Sequence, residues 1–143
     1  MKQIVILSLL SLAFWSCDKE TILVENEIPK EITSFVDTYF PENIIIQAIN
    51  ETEDLKRTYE VMLEGQISLE FNRKKELISA KSPNQLPNGV VPSKLVSYAS
   101  IHYPTQFIVE WNLDDRDQEI ELNNGIELKF NKKGEFTKID NSL

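Results

Sequence analysis

This chain nearly repeats itself, and that limits its fold more than any other feature. Ile28-Pro29 recurs as Val91-Pro92, 63 positions further on. At that offset Ile32 meets Leu95, Phe35 meets Tyr98, Phe40 meets Tyr103 and Pro41 meets Pro104. Self-similarity at a fixed period implies one supersecondary unit used twice. The segments PKEITSFVDTYFP and PSKLVSYASIHYP share one plan. Each opens on a proline, which suits a helix start, and closes on one, which the preceding residue cannot follow in α conformation. Between them apolar residues fall at helical spacing, so the pattern predicts amphipathic helices over 30–39 and 93–102.

Further along the offset becomes 59. Residues 60–77 (EVMLEGQISLEFNRKKEL) align with 119–136 (EIELNNGIELKFNKKGEF), with eight identities in 18 pairs. Here the apolar spacing is two: Val61, Leu63, Ile67, Leu69 and Phe71, against Ile120, Leu122, Ile126, Leu128 and Phe130. That alternation predicts strands with one buried and one wet face. Asn124-Gly125 marks a hairpin turn and Glu64-Gly65 its partner. In the next turn Gly134 is free to take positive φ, whereas its counterpart is Lys75, at a cost on the order of 1 kcal/mol. A further strand precedes each hairpin, over Asn43–Ile49 and Gln106–Leu113. Ile44, Ile46 and Ala48 match Phe107, Val109, Trp111 and Leu113 in parity. The expected fold is α+β. A helix followed by about four antiparallel strands occurs twice, over 28–80 and 91–143, with the helices on one face of the sheet. Lys81–Val90 (KSPNQLPNGV), rich in turn formers, is the linker.

A helix ending Tyr-Phe-Pro or His-Tyr-Pro is followed by a strand and then a hairpin carrying Phe71-Asn72-Arg73-Lys74-Lys75 or Phe130-Asn131-Lys132-Lys133-Gly134. This pattern resembles the PepSY-like family of periplasmic proteins and lipoproteins, whose fold is similar to that of the beta-lactamase-inhibitory protein. The resemblance spans roughly residues 28–140. The family often has Asp where this chain has Asn72 and Asn131, and Gly where it has Lys75. The resemblance implies a tandem α+β fold with a curved antiparallel sheet. It implies no activity, because a shared fold does not carry function across.

Residues 1–16 read as a targeting segment. Lys2 is followed by an almost wholly apolar run, Ile4 to Trp15, too short to span a bilayer and matching a signal peptide. Ser16-Cys17 then gives way to Asp18-Lys19-Glu20. This resembles a bacterial lipoprotein signal of the looser kind, with Phe14 and Trp15 ahead of the small residue. The expectation is that Cys17 is lipidated, that residues 17–27 tether the domain, and that the protein is exported to the cell envelope, held at the outer membrane. An ordinary secreted protein is the alternative.

Composition removes whole classes of chemistry. The net charge is −8 at pH 7 and the pI about 4.7. Such a surface repels phosphates, so nucleic acid is not an expected partner. The single cysteine rules out an intramolecular disulfide. The single histidine, His102, has no acid–base partner on its helix and reads as a surface residue. No nucleophile elbow, phosphate loop or zinc motif occurs, so no enzyme activity, catalytic residue, cofactor or metal site is expected. Acidic turns do recur: Glu51, Glu53 and Asp54 in the first unit, and Asp114, Asp115 and Asp117 in the second. Oxygen-rich turns can hold calcium, but neither follows a calcium-loop pattern, and solvated hairpin tips are the simpler reading. Trp111 is expected in the core, filling space that Ala48 leaves open, although tryptophan is also enriched at interfaces. Trp111, Asp114, Asp115 and Asp117 are therefore the candidate partner-binding residues. The expected function is a lipid-anchored, non-catalytic module that binds an unidentified envelope protein and possesses no enzyme activity. The alternative is a structural surface lipoprotein without a specific ligand.

Overall fold

The computed structural model describes residues 19–53 and 56–140. Nine strands form one antiparallel sheet in chain order: β1 (Lys19–Ile22), β2 (Ile45–Glu53), β3 (Lys56–Leu63), β4 (Ile67–Asn72), β5 (Leu77–Lys81), β6 (Ile108–Leu113), β7 (Asp117–Leu122), β8 (Glu127–Asn131) and β9 (Phe136–Asp140). Helix α1 (Lys30–Tyr39) lies between β1 and β2, and α2 (Ser93–His102) between β5 and β6.

Proline brackets both helices. The Pro29 carbonyl accepts from the Ile32 and Thr33 amides at 3.0 and 3.2 Å, and the Pro92 carbonyl from Leu95 and Val96 at the same distances. At the far ends the Phe40 amide donates to Val36 and the Tyr103 amide to Ala99, each at 2.7 Å, before Pro41 and Pro104 stop the turn.

The strand registers show which face is buried. Ala48, Val61, Leu69, Ala80, Trp111, Ile120 and Leu128 lie opposite one another from β2 to β8. All are buried. Phe71 shares that face and meets Phe35 of α1 edge-on at 5.4 Å, and Phe130 meets Tyr98 of α2 at 5.3 Å. Both helices therefore cover the same side, and one continuous apolar core lies beneath them.

Two sequence expectations need correction. The parity of the strand before each hairpin shifts partway, because β2 carries an irregularity between Ile45 and Gln47, and β6 between Ile108 and Glu110. A bulge adds one residue and rotates the phase of what precedes it. The inward residues are thus Ala48 with half-buried Ile45, and Trp111 with Ile108, while Ile44 and Ile46 are 68% and 61% exposed. The second correction concerns residues 17–27, read as a tether. Lys19–Ile22 form β1, paired with β2 from Lys19–Thr52 to Ile22–Ile49, and Glu25–Glu27 form a 3-10 turn. All four β1 residues are exposed, so backbone pairing rather than side-chain burial holds the strand, and hydropathy gave no sign of it.

Lys75 adopts φ 64°, close to the 76° of Gly134. The turn tolerates it because Asn72 organises the loop. Its Oδ1 accepts from the Lys74 and Glu76 amides at 2.8 and 3.1 Å, and its Nδ2 donates to the Glu76 carboxylate at 2.9 Å. Asn131 does the same with Lys133 and Glu135. An aspartate could accept those amides but could not donate to the glutamate, so asparagine suits the Glu that follows it here.

Candidate functional site: the open face of the sheet

The helices leave one whole side of the sheet uncovered. Along its middle, one row runs Ile22, Ile49, Glu60, Glu70, Ser79, Asn112, Glu119, Lys129 and Lys138. The next runs Gln47, Met62, Ser68, Lys81, Glu110, Glu121, Glu127 and Asp140. Glu20 pairs with Glu51 at the β1 end. The face therefore grades from an apolar corner of Ile22, Ile49 and Met62 into a field in which carboxylates outnumber lysines.

That crowding alters the acids. Partial burial, with Glu60 and Glu51 nearby, raises the Glu70 carboxyl above its usual range. Burial and the neighbouring Glu110 raise Glu121 likewise. Burial opposes ionisation of Glu110 too, but the Lys81 ammonium at 2.5 Å and the Asn112 amide at 2.8 Å outweigh it and hold its carboxyl below that range. In the second half Lys129 sits among carboxylates, 3.2 Å from Glu119 and 2.6 Å from Asp140. Hydrogen bonds to Asp140 and Glu119 raise its pKa.

Glu119, Glu127 and Asp140 bring one carboxylate oxygen each within 4.8 Å of one another, a grouping of the kind that can hold a cation. Sequence reasoning missed it, since the three lie on three strands and only the register joins them. Lys129 already supplies that group with positive charge.

The residues singled out by sequence do not assemble into one site. Trp111 is 5% exposed, and its indole N–H donates to the buried Gln118 side chain at 3.3 Å. Gln118 in turn reaches the Asn131 and Lys132 carbonyls. The expectation of a core tryptophan holds. Asp114, Asp115 and Asp117 are exposed at the β6–β7 tip, where the Asp114 amide donates to the Asp117 carbonyl at 2.9 Å and the Asp115 amide to the Asp114 side chain. Glu51 and Glu53 end β2 at the other tip; Asp54 and Cys17 lie outside the described residues. His102 is exposed and stacked on Tyr98 at 4.2 Å.

Comparison with known proteins follows the fold. The chain is similar to a protein of Bacteroides vulgatus described as a "putative periplasmic protein" of the DUF2874 family, at 28% identity over 87% of this chain and 99% of that one, with a TM-score of 0.82. A Bacteroides thetaiotaomicron protein described as a "putative calcium-regulated periplasmic protein" aligns at 24% identity over 85% and 97%, with a TM-score of 0.80. A second Bacteroides vulgatus protein, described as a "putative periplasmic protein of unknown function", aligns at 22% over 86% and 100%, also at 0.80. No curated protein is significantly similar in sequence. One family model matches twice, over residues 15–79 and 79–138. The chain belongs to the family described as "Putative beta-lactamase-inhibitor-like, PepSY-like".

Proposed function

We propose that this protein is an exported, non-catalytic binding module, held at the outer membrane by a lipid on Cys17, that grips a basic envelope protein on the open face of its sheet. The observation that carries the reading is that face. It is large and, among the described residues, uncovered by either helix, with an apolar corner of Ile22, Ile49 and Met62 beside carboxylates that outnumber the lysines among them. Exposed apolar side chains beside a charged field give a partner something to bury, and an acidic field selects a basic partner and speeds its arrival. The solved neighbours, described as periplasmic, support export, and the family description names no catalytic activity.

The same reading takes the chain as two copies of one unit, residues 28–80 and 91–143, joined by 81–90. Its support is the order helix then four strands on either side of the linker, the proline brackets, the matched bulges and the double family match. Calcium is left to the neighbour whose description names it. In this chain the ammonium of Lys129 stands within the carboxylate group a calcium ion would need.

Photo-crosslinking in the native cells tests the reading. A crosslinker at Ser79 or Asn112, in the middle of the open face, should capture one saturable product. The same group at exposed Ser34 or Ser97, on the helices, should not. Absence of any product from the open face would sink the proposal and leave a structural lipoprotein without a specific ligand.

A further inference from the structure

The two helix–sheet junctions are lined alike but filled differently. Beside α2 the lining includes Val91, Ala99, Phe107 and Ile108; beside α1 it includes Ile28, Val36, Ile44 and Ile45, each 63 positions earlier. The cavity beside α2 measures about 60 Å³, whereas that beside α1 is an open groove of about 1170 Å³. The cause is the incoming chain. Before α2, residues 82–91 run along β6. The Ser82 amide donates to the Val109 carbonyl and the Leu86 amide to Ile108, both at 2.9 Å, and Leu86 is buried to 5% exposure. Before α1 only residues 25–28 fill that role. Their amides turn inward: Glu27 donates to the Val24 carbonyl and Ile28 to Glu25. Among the described residues, nothing takes the place of Leu86 over Ile45 and Ile46.

We infer that the α1–β2 groove receives an extended segment of a basic partner protein, which follows the path of Gln85–Pro87 and inserts a leucine-sized side chain beside Val36 while donating an amide to the Ile45 carbonyl. This is β-strand addition at a short stretch of exposed edge, with one anchoring pocket. The partner's chemistry follows from charge: Glu25 and Asp37 line the groove against Lys30 alone, and the net charge of −8 opposes a second copy. The groove meets the open face only at Gln47 and shares none of its carboxylates, so this inference and the open-face reading fail independently.

The test uses the chain's own plug as probe. A peptide of residues 81–91 (KSPNQLPNGVV, ends blocked) is titrated into the full chain by NMR. Saturable shifts are expected at Ile44–Ala48 and Val36 at millimolar peptide. Replacing the leucine of the peptide by alanine, or Ile46→Lys in the chain, should each weaken binding roughly tenfold or more. Ile46 is exposed, so that variant folds. Grafting residues 82–91 in place of 25–28 should abolish binding and raise Tm. Two outcomes overturn the inference: no saturable shift at the groove, or equal affinity for the alanine peptide; and groove shifts that track protein concentration, which give the groove to a second copy.

Discussion

The halves around α1 and α2 share a backbone plan and differ in what fills it. Ala48 and Trp111 take the same place in the inward row, on strands with matching bulges. Lys75 and Gly134 take the same turn position at nearly the same φ. On the open face Glu70 stands where the second half has Lys129, the one crowded by acids and the other paired with two. The second half is thus the better filled, although its Glu121 is raised by burial and by Glu110 much as Glu70 is by its own neighbours. The first keeps an open groove. Features that a fold does not need for its own stability are where recognition has room to act, and here they concentrate in the first half.

Substitutions in each half test this contrast. The largest effect is expected from Trp111→Ala, which empties the core of its one tryptophan and strips Gln118 of a donor. It should cost about 3–5 kcal/mol in urea unfolding. A loss under about 1 kcal/mol would mean that the second half does not depend on that filling.

Next comes the turn pair. At Gly134 a Cβ would stand 3.0 Å from the Lys94 Cβ and 3.3 Å from Leu95 Cδ1. Gly134→Ala should therefore cost about 1–2 kcal/mol, from positive φ and crowding against α2 together. Lys75→Gly should stabilise by about 0.5–1 kcal/mol, since it only removes strain. Thermal unfolding of both variants decides it, and equal and opposite shifts would show that α2 does not press on the turn.

The smallest effect concerns charge. Glu70 binds its proton more tightly folded than unfolded, so its ionisation opposes folding, and stability falls as pH rises from the ordinary carboxylate value through the raised one. Glu70→Gln should stabilise by a few tenths of a kcal/mol at pH 7, with the gain vanishing below about pH 4. Lys129→Gln should lower stability slightly at pH 7, because it removes the cation between Glu119 and Asp140. Denaturation curves across pH that showed Glu70→Gln most beneficial in acid would reverse the argument.

The helices and hairpins were legible because they rest on local signals. Proline brackets set the ends of α1 and α2, and period two in residues 60–77 and 119–136 set the inward face. The lysine at positive φ was legible from its alignment with Gly134. What escaped were features made by pairing. The bulges at Ile46 and Val109 reverse parity with no glycine to mark them. β1 is four polar or exposed residues whose only support is the ladder to β2. The group of Glu119, Glu127 and Asp140 exists only in register. The groove was implicit in the lengths of two linkers, four residues against ten, but that difference has meaning only once both are seen to approach the same kind of junction.

The early start of β1 has a mechanical consequence. With Cys17 as the anchor proposed above, eleven residues of tether would have let the domain roam about 36 Å from the bilayer. Because Lys19 is already hydrogen-bonded into the sheet, the leash shrinks to two residues, about 7 Å. Such a protein cannot fish across the envelope. Anchored in that way, it would ride against the lipid with its β1 edge innermost, diffuse in two dimensions, and meet only partners that come to the membrane.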